Sequence, residues 1–159
     1  MSNIQELKNA IYEINAEPSK WLEVAIKIED AAKILQNKTS YKSHEIEHRF
    51  QEYMLWGFCI ENLIKGILIS DGKDEILKIK KGVKAYAGPM HNLLELAKKI
   101  DFTINIQEEL LLKFLTNAIL YLGRYPIPKN SSKLSAFWDE SFDQGIEKII
   151  NRLKSNYTK

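Results

Sequence analysis

The sequence predicts an all-α protein, a bundle of five to six helices forming one domain over residues 1–159. Three observations carry that expectation. Apolar residues recur at steps of three and four along nearly the whole chain, and no convincing period-two alternation stands out against them. Glycine and proline together supply 11 of the 159 residues (7 Gly plus 4 Pro), too few for a turn-rich all-β chain. Most of those breakers fall between the periodic runs, where helices are expected to end. Isoleucine does not argue for strands here. With 21 Ile against 2 Val and 20 Lys against 3 Arg, the usage looks like the codon bias of an A/T-rich genome. Each Arg kept in place of Lys is correspondingly more informative.

Taken in order, Ile4, Leu7, Ile11 and Ile14 mark a first helix that ends before Pro18. Trp21, Ala25, Ile28, Ala32 and Leu35 trace the inner stripe of a second, with Ser19 as its expected N-cap. A polar connection, 37–43, leads to a long helix from about His44 to Ile69. Its expected inner side holds Phe50, Tyr53, Met54, Gly57, Ile60, Ile64 and Leu68, and Asp71-Gly72 stops it. The segment from about 73 to 89 carries Lys73, Lys78, Lys80, Lys81 and Lys84 among Gly82, Gly88 and Pro89, and reads as an exposed Lys-rich insertion. His91 opens a short helix to about Ile100. Asn105 and Glu108 have capping-box spacing for the next, which runs to about Leu122 and, apolar on nearly every side, is expected to be central. Gly123-Arg124-Tyr125-Pro126-Ile127-Pro128 ends it. Ser135 caps a last helix with Trp138, Phe142, Ile146, Ile149 and Leu153 on one face, and Asp139 and Glu140 suit its N-terminal dipole.

The bulk numbers exclude some function classes. A formal net charge of +2 neither requires nor forbids a nucleic-acid partner, since footprints depend on clustering. Cys59 is alone, so no disulfide can form within the chain, and a cytoplasmic location is expected. The residues from Met1 to Glu6 lack the apolar core of a signal peptide. Glu61, Asn62 and Lys65 interrupt the longest apolar run, so no membrane partner is expected. No cofactor motif occurs.

Two groups of residues invite a chemical reading. His44-Glu45-Ile46-Glu47-His48 fits H-E-x-x-H, in which two His one helical turn apart chelate zinc beside a general base. The third ligand is missing. Glu61 lies about 19 Å along the helix from His48 at the standard rise, and His91 is the chain's one other His. The expectation is therefore a solvated surface with no metal, and a zinc hydrolase ranks last. The second group is more informative. Glu61 and Lys65, at i,i+4 spacing, sit within an apolar helix; Asn117 and Arg124 are seven residues apart at the exit of another; His91 lies between them in the sequence. Polar residues at such positions are costly unless they meet one another or a ligand. Both a register-fixing ion-pair network and a ligand site satisfy that requirement. Pro126 and Pro128 stiffen the turn that presents Arg124 and Tyr125, an arrangement suited to phosphate contact and base stacking.

Glu61-Asn62-Leu63-Ile64-Lys65-Gly66, His91-Asn92-Leu93-Leu94-Glu95-Leu96 and Arg124-Tyr125-Pro126 together resemble HEPN domains. These are helical bundles, many of them associated with RNA cleavage, toxin–antitoxin pairs and antiviral defence. The resemblance spans roughly residues 12–153 and implies a homodimer acting on RNA or in nucleotide-linked biology. HEPN ribonucleases cleave RNA without metal, using an Arg followed four to six residues later by His. Arg124 matches that Arg, but Lys129, Asn130 and Ser131 stand near the place of the His. Under this resemblance Arg124 and His91 are the candidate catalytic residues, and Glu61, Lys65, Asn117 and Tyr125 the candidate binding residues. The alternative is a non-catalytic interaction module, such as the helical partner of a nucleotidyltransferase.

Overall fold

The computed structural model describes residues 2–15, 17–38, 46–72, 77–80, 83–86, 91–123 and 141–158. These residues are mostly helical, as the sequence predicts. In chain order they form α1 (Ser2–Asn15), α2 (Pro18–Lys38), α3 (Ile46–Ser70), β1 (Leu77–Lys80), β2 (Val83–Tyr86), α4 (Leu93–Lys99), α5 (Ile106–Asn117) and α6 (Ser141–Lys154). A π-helical turn, Ala118–Leu122, extends α5, and a 3₁₀ turn, Ser155–Thr158, follows α6.

The hub is α3, not the 106–122 segment that the apolar count favours. Helix α3 packs along α2 and also against α4, α5, the π-helical turn and α6. Its 25 residues bury Tyr53, Cys59, Ile60, Leu63, Ile64 and Leu68 almost completely. Helix α5 instead carries Gln107, Glu108, Glu109 and Lys113 and leaves Ile106 and Leu110 exposed, so it has an outer face. The stretch Arg49–Ser70 of α3 has the length and apolar composition to cross a membrane, yet most of it is buried inside the bundle. The α2–α3 contact uses the expected stripe. Ala25 and Ala32 are fully buried, and their small side chains let the two helices approach closely. Gly57 does the same elsewhere: a Cβ there would meet Ile119 at 2.8 Å, so glycine admits the π-helical turn against α3.

Local signals explain most of the boundaries. Pro18 is the first residue of α2, which places Ser19 inside the helix and not at its cap. Proline suits that position because its missing N–H would have no intrahelical partner. Gly72, at φ +65°, closes α3, while Asp71 N–H bonds to Ile67 C=O at 2.9 Å. The Asn105 capping box forms as expected: its side chain accepts from the N–H groups of Gln107 and Glu108, both at 2.9 Å, and Glu108 accepts from Asn105 N–H at 3.1 Å. On α6, Ile146, Ile149 and Leu153 of the expected face are buried together with Ile150. The expected cap Ser135 and residues Trp138, Asp139 and Glu140 lie outside the described residues.

Two elements depart from the sequence reading. Within the Lys-rich insertion, β1 and β2 pair antiparallel from Leu77↔Tyr86 to Lys80↔Val83, with Lys81 and Gly82 between them. The alternation was present in Leu-Lys-Ile-Lys and Val-Lys-Ala-Tyr, hidden by counting the lysines as a charged loop. Strand β2 lies against α1, and the rest of the insertion is outside the described residues. The second departure is the π-helical turn, in which Gly123 N–H bonds to Ala118 C=O, five residues back, at 2.9 Å. It breaks the 3.6-residue phase that would put Asn117 and the helix exit on one face.

Candidate functional site

Three of the six expected site residues meet. Glu61 and Lys65 sit one turn apart on α3 and form an ion pair through Lys65 Nζ and Glu61 Oε1. The other carboxylate oxygen, Oε2, lies 2.9 Å from His91 Nδ1. Glu61 and Lys65 are only 3% and 7% exposed, whereas the His91 side chain keeps 20% of its surface in solvent. The pair is therefore buried, with a titratable group at its solvent edge. A carboxylate already accepting from an ammonium has acceptors alone to offer, so His91 Nδ1 carries the proton in this contact. In the neutral ring Nε2 is then left with its lone pair.

Backbone geometry holds His91 there. The residue does not open α4, as its place in the sequence suggests, but stands just outside it at φ +67°. Asn92 is the cap, its side chain accepting from Glu95 N–H at 3.2 Å. Leu93 N–H, another group at the start of α4, donates to Thr116 Oγ1 at 3.2 Å, and that hydroxyl donates to Leu112 C=O at 2.8 Å. The edge of the Phe58–His91 ring pair, 5.9 Å between centroids, closes one side. Left-handed backbone at a bulky residue persists only where surroundings fix it, and here the cap, Thr116 and Glu61 do so. Thr116 was legible only as a polar break in Leu-Leu-Leu-Lys-Phe-Leu-Thr-Asn.

Asn117 is half-buried at the end of α5, immediately before the π-helical turn, and no described hydrogen bond joins it to Glu61 or His91. Arg124 and Tyr125 lie outside the described residues, as do His44 and Glu45 of the zinc-like motif. Among the described residues, no group of His, Cys, Asp and Glu is arranged to hold a metal ion. Cys59 is fully buried, and that burial pushes its thiol up to about 12, with the charge of Glu29 adding to the effect. It is an inert core residue.

A second buried network lies on the same helix and was missed in the sequence. Arg49 Nη1 donates to both oxygens of Glu52 at 2.9 and 3.2 Å, and Nη2 reaches Asp143 of α6 at 3.4 Å. Tyr53 donates to Asp143 at 3.2 Å and Trp56 Nε1 to Glu52 at 3.2 Å. Burial raises the Glu52 carboxyl above its usual range, and the bonds from Arg49 and Trp56 do not fully offset it. Burial alone would lower the Arg49 guanidinium, but Glu52, Tyr53 and Asp143 carry it higher still. The network borders a groove of about 430 Å³ between α2 and α6. The scarcity of Arg was the available signal. Arg152 fits it too, stacking 4.2 Å above Phe102 while bonding Glu108 at 2.6 Å and Thr103 C=O at 2.5 Å.

Comparison with family models, curated proteins and solved structures finds no match to this chain.

Proposed function

We propose that this chain is a HEPN-like helical domain that binds RNA and cleaves it without metal, with His91, held by Glu61, standing in for the missing downstream histidine. One observation carries the reading: among the described residues of the polar centre, the partly exposed ionisable group is an imidazole whose Nδ1 is fixed by a buried carboxylate. That geometry leaves Nε2 to take or give a proton, as a general acid–base requires. Lys65 tempers the carboxylate, and Arg124 is assigned to a phosphate with Tyr125 stacking on a base. A homodimer in a cytoplasmic defence or toxin–antitoxin setting belongs to the same reading.

The competing reading is an interaction module, for example one partnering a nucleotidyltransferase, in which the network only fixes helix register. The burial of Glu61 and Lys65 favours it, as do Ile106 and Leu110, 70% and 55% exposed on one face of α5. Single-stranded RNA incubated with purified protein in chelator separates the two. Under the RNA reading, His91→Ala and Arg124→Ala abolish cleavage while melting temperature falls by only a few degrees. Intact RNA with the native chain, or RNA effects unaltered in both variants, leaves the interaction module.

A further inference from the structure

Gly66 follows Lys65 on α3, and two aromatic residues close over it. A Cβ at Gly66 would meet Trp21 Cβ at 2.9 Å and would overlap the Tyr157 hydroxyl outright. Glycine is needed here so that the hydroxyl can reach the helix backbone. Tyr157, in the 3₁₀ turn after α6, donates to Leu63 C=O at 2.6 Å. Burial of the phenol raises its pKa, against a smaller lowering from the Ile67 backbone N–H. Leu63 C=O and Ile67 N–H are the two groups that bond each other across one turn of a regular helix. That turn contains Lys65. The Lys65 ammonium in turn lies 5.9 Å from the centre of the Trp21 ring, which covers it from α2.

We propose that Tyr157 is a positioning residue: by seating its hydroxyl in the Leu63–Ile67 turn against Gly66, it sets the reach of Lys65 onto Glu61 and so the charge that His91 feels. Lys65 and His91 share one carboxylate, one on each oxygen. Whatever loosens Lys65 leaves Glu61 more negative toward the imidazole and favours its protonated form. The described groups in contact with His91 are the Glu61 carboxylate from α3 and the edge of Phe58; Lys65 holds the other oxygen of Glu61, and Glu95, in the first turn of the adjoining α4, pairs with Lys98. The Tyr157 hydroxyl sits on Leu63 C=O beside Gly66, so its influence is exerted on the α3 turn that contains Lys65.

This inference deepens the reading of Glu61 and His91 as a functional pair, but its test needs no RNA. The imidazole of His91 is titrated by NMR in the intact chain, its signal identified by its absence from His91→Gln. Tyr157→Phe, which deletes one hydroxyl, should raise the midpoint of His91 by on the order of half a pH unit. Gly66→Ala, which expels the same hydroxyl, should raise it similarly. In a Lys65→Met background, Tyr157→Phe should change nothing further, because the lysine it positions is gone. An unmoved midpoint in both Tyr157→Phe and Gly66→Ala would overturn the proposal. So would an equal shift with and without Lys65. Should Lys65→Met fail to fold, agreement between the other two variants decides. A cleavage defect in the native chain leaves this titration readable, so the two ideas fail separately.

Discussion

Helix α3 carries two buried charge networks built from the same parts, and they differ in how they end. Toward its start, Arg49 and Glu52 pair within the helix and reach across to Asp143 on α6. Further along, Glu61 and Lys65 pair within the helix and reach across to His91. In the first, every acceptor has more than one donor: Arg49 and Trp56 on Glu52, Arg49 and Tyr53 on Asp143. All its members stand on regular helices, and its cation cannot lose its proton at ordinary pH. In the second, the outer member is a histidine on left-handed backbone between elements, partly wet and able to change charge. The first arrangement fixes two helices to each other. The second ties α3 to a side chain that stands between elements and keeps part of its surface in solvent. Similar spacing in sequence therefore does not mean similar work.

Variants can break this contrast. Arg49→Met should have the largest effect, because it takes the cation from the fully buried Glu52 and cuts the tie from α3 to Asp143 on α6. Breaking such a pair costs about 3–5 kcal/mol, read as a lower urea midpoint at unchanged slope. His91→Ala should cost only about 1–2 kcal/mol, since it removes a single hydrogen bond to a carboxylate that keeps Lys65. Comparable losses in the two variants would erase the distinction between clamp and site. Asn92→Ala, which deletes the α4 cap beside His91, should cost about 1 kcal/mol and also loosen the imidazole.

The acid side of the stability profile sharpens the contrast further, with a smaller effect. Glu52 has a folded pKa raised above its unfolded value, so the native state binds that proton more tightly. Its ionised form is a cost at neutral pH, relieved as pH falls through the raised value. Glu29 runs the other way. Burial pushes it up, but hydrogen bonds from Lys154 and Lys33 outweigh this and hold it below the usual carboxylate range. Its stabilisation is present above the unfolded pKa and lost as pH falls through the folded one. Glu52→Gln should therefore compare best with the native chain at neutral pH and lose ground on acidification, and Glu29→Gln should do the reverse. Parallel slopes in calorimetric scans from neutral to acid pH would contradict both assignments.

The helices were legible because burial here is written in apolar spacing: Ala25 with Ala32, and Ile146 with Ile149 and Leu153, fall where a 3.6-residue period puts them. The capping box at Asn105 was legible because its chemistry is local. What escaped was nonlocal or broke the period. Asp143 gave no sign that it would meet Arg49, because their meeting depends on how α6 lies against α3. Tyr157 looked like an ordinary residue after a helix until Gly66 supplied the gap it enters. Of the candidate site, Glu61 with Lys65 could be read from spacing, and His91 joined them through backbone that no periodicity encodes. The Arg scarcity did point somewhere: both described arginines, Arg49 and Arg152, tie helix α6 to other elements.

The π-helical turn at Ala118–Leu122 has a bearing on how this chain is compared with others. Such a turn houses one residue more than the α-helical turn it replaces. Matched position by position to an uninterrupted helix, this one stays in step through Asn117 and is one place late from Gly123 onward. Against a chain whose helix lacks such a turn, an alignment that opens no gap there falls out of step by one residue past Leu122. Searches for relatives should score the two halves separately, with a single-residue insertion allowed between Ala118 and Leu122.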